Sequence, residues 1–549
     1  VEEDYVKVIP LGGLSEIGLN STVFETKNDA ILIDAGLMFP EEDMLGVDLV
    51  IPNFDYVYEN AKKFRALFVT HAHEDHVGAI PYLLKNINVP IYGTKLTLGI
   101  IRAKLREFKM NPKMIEIDDH KIYNIGDFAI EPIRVTHSIV DGVGFAITHD
   151  VGTIVHTGDF KIDHTPVDGK PLDILKFSEY GSKGVKLLMS DSTNANVRGF
   201  TGSERAVGKA LSIIFANAKK RILLVTFASN IHRVQQVINI AEKLGKKVCI
   251  SGKSMVQNSN IAKELGYLNV PDGILISDSD LDSYPDENVV IITTGSQGEP
   301  MSGLSRIAFD EHKKIKVKPT DTIIISAKTI PGNEKAALKV INSLAKKGVD
   351  LFYEQNSNVH VSGHASQEEL KFMISVTKPE YFMPIHGEYM MRRSHSKIAE
   401  TLGVNPRNIL NIDNGDVVKV TKKGVAMDGR IKSGRVFIDG KNSEGVQDVV
   451  LHDRMKLSTE GFVAIIVAID DKTGEIGGDP QIIIRGLTHD EKSQKLVSEA
   501  SAMIKNLVNQ SNIDMKTDAY EIKKKIRKAM GKFLYKKLKK NPMILPIIL

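Results

Sequence analysis

Short apolar runs rich in β-branched residues recur along the first 195 or so positions, separated by turn-forming residues. Val6-Lys7-Val8-Ile9-Pro10, Ser21-Thr22-Val23-Phe24-Glu25 and Ala30-Ile31-Leu32-Ile33-Asp34 have the composition of strands, as do Ala66-Leu67-Phe68-Val69 and the runs at 129–135, 153–158 and 186–190. A helix is predicted over 97–108. Pro132 sits inside its run, which predicts an edge position or a bulge there. The pattern suggests sheet packed on sheet with helices outside.

From about Glu204 the pattern changes. Helices at 206–217 and 233–244 alternate with apolar strands at 221–225, 248–250, 289–292 and 322–325, the signature of a parallel α/β sheet. Further short strands run to about Val450. Residues 461–549 then read as strand (461–469), strand (481–486), helix (491–510), helix (518–540) and strand (543–549), a small separate domain suited to assembly. In the last helix Ile522, Ile526, Met530, Leu534 and Leu538 form an apolar stripe, so Lys523, Lys524, Lys525, Arg527, Lys528, Lys532 and their neighbours between Lys516 and Lys540 read first as its solvated face and second as a surface for a phosphate backbone.

Composition adds limits. A chain of 549 residues exceeds the usual size of one core, so about three domains are expected. No apolar run approaches the roughly 20 residues that span a bilayer, and Val1-Glu2-Glu3-Asp4 offers neither the basic nor the apolar part of a secretory signal. Membrane insertion is not expected. One cysteine, Cys249, rules out an internal disulfide, fits a reducing cytoplasm and reads as a core hydrophobe. The net charge of +4 is too small to argue for a nucleic-acid partner by itself.

The most specific stretch is Thr70-His71-Ala72-His73-Glu74-Asp75-His76, after the run 66–69. Side chains alternate along a strand, so His71 and His73 leave its end on one side, and the turn brings Asp75 and His76 into the same volume. Neutral imidazoles and carboxylates suit divalent first-row metals, and two ligand pairs so close suggest two ions in one pocket. Three more strand ends carry such groups. Asp34 can orient a ligand imidazole or position water. His137 and Asp159 complete a set with His71, His73 and His137 on one ion, Asp75 and His76 on the other, and Asp159 between them. His386, ending the run Met383-Pro384-Ile385, supplies the imidazole the second ion lacks. The ligands then come from both sides of the α/β segment, which makes 204–361 an insertion between two parts of one domain, 1–203 and 362–450, with 451–460 a linker to the domain at 461–549. At the carboxyl ends of the inserted strands, loops holding Ser229, Asn230 and His232, holding Ser296, Gln297, Gly298, Glu299 and Pro300, and at 330–334 with Pro331, let backbone N–H groups approach a phosphate. His360, Ser362, Gly363, His364, Ala365 and Ser366 follow.

The ligand set resembles the dinuclear site of the metallo-β-lactamase fold. The inserted domain, Asp191-Ser192-Thr193 and His360-Val361-Ser362-Gly363-His364 resemble its β-CASP, nucleic-acid-processing branch. Residues 156–161, 295–302, 330–334 and 384–389 are similar to bacterial ribonuclease J, end to end. The resemblance implies an αββα sandwich with a β-CASP insertion and a C-terminal α+β domain. It implies a cytoplasmic enzyme that hydrolyses RNA in 5′-to-3′ exonucleolytic and endonucleolytic modes, in messenger decay and ribosomal RNA maturation, with two divalent ions, zinc or manganese with magnesium as an alternative. It gives His364 the role of proton donor and charge stabiliser, groups Asp75, Asp34 and Asp191 with it as catalytic residues, and assigns the loops at 229–232, 296–299 and 360–366 to RNA. It also implies a homo-oligomer, dimer or tetramer, or a complex with a second ribonuclease J paralogue. Ala72, Val140, Arg198 and Met390 stand where Gly, Pro, Pro and Arg are usual, which resembles the second, often weaker paralogue. A left-handed backbone at Ala72 would carry strain of about 1 kcal/mol or more. The rival readings are a weakly active or structural subunit, and a small-molecule ester or lactam hydrolase of the same fold.

Overall fold

The computed structural model describes residues 3–41, 43–299, 301–330, 332–440, 442–446, 448–470, 475–487, 490–511 and 519–549. Pro300 and Pro331 of the two loops, and Lys516 and Asp518 at the head of the basic segment, lie outside the described residues. The chain forms two compact units, Val1–Phe39 with Val50–Val436, and Pro40–Leu49 with Phe437–Leu549.

In the first unit, eight strands make one sheet in the order Val425–Arg430, Asp416–Thr421, Tyr5–Gly12, Ser21–Glu25, Ala30–Ile33, Phe64–Phe68, Ile91–Gly93 and Met114–Glu116. Six make a second, in the order Tyr381–Ile385, Val185–Asp191, Gly152–His156, Val143–His149, Phe128–Arg134 and Tyr123–Ile125. Side chains alternate across each strand, so one set from each sheet meets in a shared core. Val8, Phe24, Ile33 and Phe68 pack there with Ile130, Phe145, Ile154, Met189 and Met383. The other set on the second sheet, including Val155, Leu188 and Phe382, packs under helices Ile174–Lys183, Gln367–Thr377 and Tyr389–Thr401 through Phe177, Leu370, Ile374 and Ile398. This is a sandwich with helices outside. Pro132 pairs with Phe145 on one side, while Tyr123–Ile125 ends at Ile130 on the other, so at Pro132 the missing N–H meets an open edge.

The inserted segment folds as six strands, Leu275–Ile276, Lys247–Ile250, Val289–Thr293, Ile222–Val225, Thr322–Ile325 and Asp350–Phe352, every neighbouring pair parallel. Its near-continuous apolar runs follow from burial on both faces: Leu223, Val225 and Ile291 enter one core, Ile222, Leu224 and Ile292 the other. Cys249 is fully buried there, and burial pushes its thiol up to about 12, an inert core group.

In the second unit a three-stranded sheet, Gln481–Arg485, Phe462–Val467 and Met543–Ile548, packs against helices Asp490–Asn509 and Ala519–Leu538. Ile522, Ile526, Met530 and Leu534 are buried, and Lys524, Lys528 and Lys532 face solvent. The expected linker at 451–460 is instead part of a helix, Asp448–Glu460. The segment has no Gly or Pro and is rich in helix formers, but lacks a clean apolar stripe to announce it. No helix among the described residues is long and apolar enough to cross a membrane.

Candidate metal centre

The ligand-bearing strands share one geometric property. Phe128–Arg134 and Gly152–His156 both run antiparallel to Val143–His149, Val185–Asp191 runs parallel to Gly152–His156, and Tyr381–Ile385 runs parallel to Val185–Asp191. All four therefore end on the same edge of the sandwich, delivering His137, Asp159, Asp191 and His386. In the facing sheet Ala30–Ile33 and Phe64–Phe68 are parallel and deliver Asp34 and Thr70 to His76. His73 has extended backbone and caps the short helix Glu74–Val77, which turns Asp75 and His76 back toward His71.

Three overlapping groups of donors result, all sharing Asp159: two formed by the expected ligands, and one of Asp159, Asp191, His364 and His386. His71, His73, His137 and Asp159 each place a donor atom within 4.8 Å of the others, and so do Asp75, His76, His386 and Asp159. His73 Nδ1 lies 3.0 Å from His71 Nε2 and 3.1 Å from His137 Nε2. Asp75 Oδ2 lies 3.2 Å from His386 Nε2 and 3.5 Å from His76 Nε2. Asp159 Oδ2 is 3.3 Å from His76, 3.5 Å from His386 and 3.7 Å from His71, so it belongs to both groups. Three imidazoles with one carboxylate, and two imidazoles with two carboxylates, are donor sets that fit a divalent first-row ion.

The outer ring nitrogens are held from behind, which directs the inner lone pairs. His76 Nδ1 is 2.7 Å from Asp34 Oδ2, and both Asp34 oxygens also accept from Thr70, through its N and its Oγ1 at 2.8 Å each. Of the two roles left open for Asp34, its contacts serve the first, orienting His76. Neither Asp34 oxygen is left without a partner. His137 Nδ1 donates to the Gly363 carbonyl at 2.7 Å. A Cβ at Gly363 would come within 2.7 Å of that ring, so the approach requires glycine. His386 Nδ1 is 2.7 Å from Thr193 Oγ1, whose hydroxyl also lies 2.8 Å from Asp191 Oδ1. Asp34 and His386 both have left-handed backbone, φ 61° and 51°, costing roughly 1–2 kcal/mol each outside glycine. Asp34 bonds a donor ring from behind and His386 is itself in a donor group, positions at which a functional site stores strain.

Burial and mutual charge divide the imidazoles into two kinds. Burial, reinforced by neighbouring imidazoles, holds His71 and His137 well below the ordinary histidine range and His73 down to about 4. That trio keeps its lone pairs available. For His76 burial acts the same way, but Asp159, Asp75 and Asp34 outweigh it and raise the ring well above its usual value. His386 is raised to about 9 by Asp159 and Asp75 against the same opposition. Burial would push Asp75 and Asp159 up, yet the His76 and His386 rings hold both well below the carboxylate range. The carboxylate half of the pocket thus draws positive charge, supplied by ring protons that a cation would displace.

His364 and Asp191 stand beside the ligands as a pair, Nδ1 to Oδ2 at 2.7 Å. Burial opposes charge on both, and each outweighs it for the other: His364 is raised and Asp191 lowered. The pairing favours the charged form of His364, whose Nε2 is directed away from Asp191.

The residues expected to hold phosphate divide by position. Ser362 accepts from Asn194 Nδ2 at 2.8 Å, in the loop that carries Gly363 and His364. Ala365 and Ser366 do not offer free donors: Ala365 N donates to the Phe160 carbonyl and Ser366 N to Glu369 Oε2, while Ser366 caps helix Gln367–Thr377. A helix start buried against a strand end consumes those groups. Asn230 likewise caps helix Ile231–Lys243, accepting from Arg233 N, beside half-buried Ser229. His232 lines a cavity of about 380 Å³ that reaches His137 and includes Arg134, Lys161 and Lys170. His360 is held down to about 4 by burial, and its Nδ1 has no partner among the described residues. In the 296–299 turn, Gln297 bonds to Ser296, the Lys328 carbonyl and Ile330 N, and Glu299 accepts from Ser302 N; the turn lies outside both ligand groups and outside the cavity lining. Ala72 is not among the residues with positive φ, is 5% exposed and packs in an apolar cluster that also holds Val140, so the feared strain is absent.

Asn20 was not anticipated. Its Nδ2 lies 3.3 Å from Asp75 Oδ2 and 3.2 Å from His76 Nε2, at the inner edge of the second group. An asparagine before a strand carries no distinguishing signal in sequence. Thr70 and Thr193 sit inside the quoted motifs, and only their contacts reveal their work.

Comparison with known proteins follows the same division of the chain. Residues 16–187 match the metallo-beta-lactamase superfamily, 219–344 the ribonuclease J beta-CASP domain, 354–408 the Zn-dependent metallo-hydrolase RNA specificity domain, and 449–549 the ribonuclease J C-terminal domain. Ribonuclease J2 of Bacillus subtilis is 39% identical over 99% of this chain and 98% of its own length. Ribonuclease J of Thermus thermophilus is 41% identical over 100% and 96%, and that of Helicobacter pylori strain B128 is 41% identical over 98% and 79%. Among solved structures, a protein of unknown function from Enterococcus faecalis V583 aligns with 76% of this chain and 100% of its own, at a TM-score of 0.56 and 17% identity, a likeness of fold alone. A metallo-β-lactamase sandwich with a β-CASP insertion and a C-terminal domain, matched along its length at about this identity, belongs to the ribonuclease J family.

Proposed function

We propose that this chain hydrolyses RNA phosphodiesters with two divalent cations, zinc or manganese, in 5′-to-3′ exonucleolytic and endonucleolytic modes. The observation that carries the reading is the pair of donor groups sharing Asp159, with the His364–Asp191 pair, 2.7 Å apart, against them. When bound, the cations would supply positive charge to the phosphoryl oxygens and lower the pKa of water from about 15.7 toward about 7. Water adds to phosphorus, the bond to the leaving 3′ oxygen breaks, and His364 Nε2 gives that oxygen its proton. Asp191 favours the charged form of His364; the attacking water gives up one proton to solvent as it adds, and His364 takes one back from solvent between turnovers. Asp75 fixes His76 and His386, and Asn20 fixes Asp75. Ser362, His232 and His360 contact phosphates, His232 from a cavity that reaches His137.

The second unit fits assembly with another copy or with a paralogue of the family: strand Gln481–Arg485 buries alternate residues and leaves Ile483 exposed on the face that also carries exposed Leu545, with Ala464 between them. The single, buried cysteine fits a cytoplasmic location. The test is metal analysis with hydrolysis of a 5′-monophosphorylated RNA by wild type and His73→Ala. Metal-loaded wild type should turn over while the variant loses metal and rate together. A loaded wild type no faster than the variant sinks the catalytic reading.

A further inference from the structure

The loop after Thr193 has a property that neither the ligands nor the His364–Asp191 pair requires. It starts at Thr193, bonded to His386 and Asp191, and returns at Thr201, whose Oγ1 donates to the His364 carbonyl at 2.8 Å. Asn194 Nδ2 donates to that same carbonyl at 3.0 Å. Both ends of the loop therefore rest on the reacting side of the pocket.

Between those ends the backbone is fastened. The carbonyls of Val197 and Gly199 accept the N–H groups of Gln367 and Glu368, Ala195 O accepts from Gln367 Nε2, and Thr201 N donates to Glu369 Oε2. The loop thus takes up the orphan donors at the start of helix Gln367–Thr377, which fixes its course. With its backbone committed inward, its side chains point outward. Phe200 is 76% exposed, Arg198 is exposed and Val197 is 43% exposed. The loop thus holds a bare aromatic ring and a guanidinium together on a backbone fastened at both ends to His386 and the His364 carbonyl.

Resting on the ribonuclease reading, we propose that residues 196–200 form a base-stacking platform for single-stranded RNA entering or leaving the pocket, with Phe200 stacking on an unpaired nucleobase and Arg198 holding a neighbouring phosphate. Every base has a π-face, so such a platform grips RNA without reading its sequence. The guanidinium adds a salt-dependent contact.

The test uses the metal-loaded full chain, a 5′-monophosphorylated single-stranded RNA for kinetics, and the same strand with phosphorothioate linkages and 2-aminopurine at successive positions for binding. Phe200→Ala and Phe200→Leu are expected to raise KM and weaken binding about 5- to 100-fold, the loss falling on KM rather than kcat, while Phe200→Trp stays near wild type. One 2-aminopurine position should be quenched by wild type and released by Phe200→Ala. Arg198→Gln should lower the salt slope of binding by about 0.7. Wild-type KM and quenching in Phe200→Ala, or a leucine variant equal to wild type, overturns the platform. If wild type fails to hydrolyse the RNA at all, the ribonuclease reading fails, and the quenching pattern on the phosphorothioate strand alone decides for or against stacking.

Discussion

Asp34→Asn isolates how the second donor group is aimed. The substitution preserves volume, and asparagine tolerates left-handed backbone, so the φ of 61° at this position adds no new strain. The oxygen that accepts from Thr70 N is retained. The other oxygen, which accepts from Thr70 Oγ1 and from His76 Nδ1, becomes an NH₂. The threonine hydroxyl can rotate to accept; the imidazole cannot adapt without changing tautomer. If His76 keeps its proton on Nδ1, two donors face each other in a buried site, a penalty of about 1–3 kcal/mol. If the proton moves to Nε2, the lone pair directed toward Asp159 and Asp75, 3.3 and 3.5 Å away, is gone. Both outcomes weaken a cation held by Asp75, His76, His386 and Asp159 by about 10- to 100-fold, or about 1.4–2.8 kcal/mol. The group of His71, His73 and His137 makes no direct contact with Asp34 and meets it only through the Thr70 hydroxyl, 3.0 Å from His71 Nδ1, so it should be the less affected of the two. Calorimetric titration of the stripped protein with Zn²⁺ or Mn²⁺, beside total metal analysis, should show one tight and one weakened ion, with the stability of the unloaded protein lowered by about 1–3 kcal/mol. Two ions bound at wild-type affinity would refute the argument that Asp34 acts through the His76 tautomer.

Other expectations are as direct. His364→Ala should retain both cations but lose about 10²- to 10⁴-fold in kcat on RNA; loss of metal instead would make His364 a ligand. Gly363→Ala places a methyl within 2.7 Å of the His137 ring and should lower metal affinity about tenfold or more, read by the same titration. Ala72→Gly should leave metal content and turnover unchanged and cost about 0.5–1 kcal/mol in urea denaturation, since Ala72 is buried and free of left-handed strain; a large gain in activity would show that the methyl distorts the flanking histidines. Burial holds His395 down to about 3, so it folds neutral while the unfolded side chain takes up a proton near 6.5. Its contribution is present above pH 6.5 and is lost as pH falls toward 3, about 1.4 kcal/mol per unit. His395→Gln should therefore lose roughly 2 kcal/mol less stability than wild type between pH 6.5 and 5, and equal losses would contradict it.

The strand runs and the histidine cluster were legible because both are local. A strand buried on one face alternates, a strand buried on two does not, and 6–33, 66–69 and 222–325 show these patterns without reference to anything distant. The candidate ligands could be listed from sequence because His137, Asp159 and His386 each lie just past an apolar run and the other four cluster after 66–69, and a strand end is visible in composition. Identity of the family also lay in the sequence, in motifs spread from His71 to His386. What sequence could not supply was direction. Whether Asp34 faces water or an imidazole depends on where Thr70 and His76 stand, and whether Ser366 offers a phosphate its N–H depends on Glu369 three residues later in a helix cap. Hydrogen bonds act over about 3 Å, far below the reach of a periodicity argument. The helix Asp448–Glu460 escaped because its burial pattern is weak, and the exposure of Phe200 escaped because an aromatic residue in a loop reads as buried until the loop is seen tied down beneath it. Composition and spacing determined which side chains this protein brings to one edge of its sandwich. Only packing decided which of their atoms face the pocket, because that choice is made by partners from distant segments of the chain.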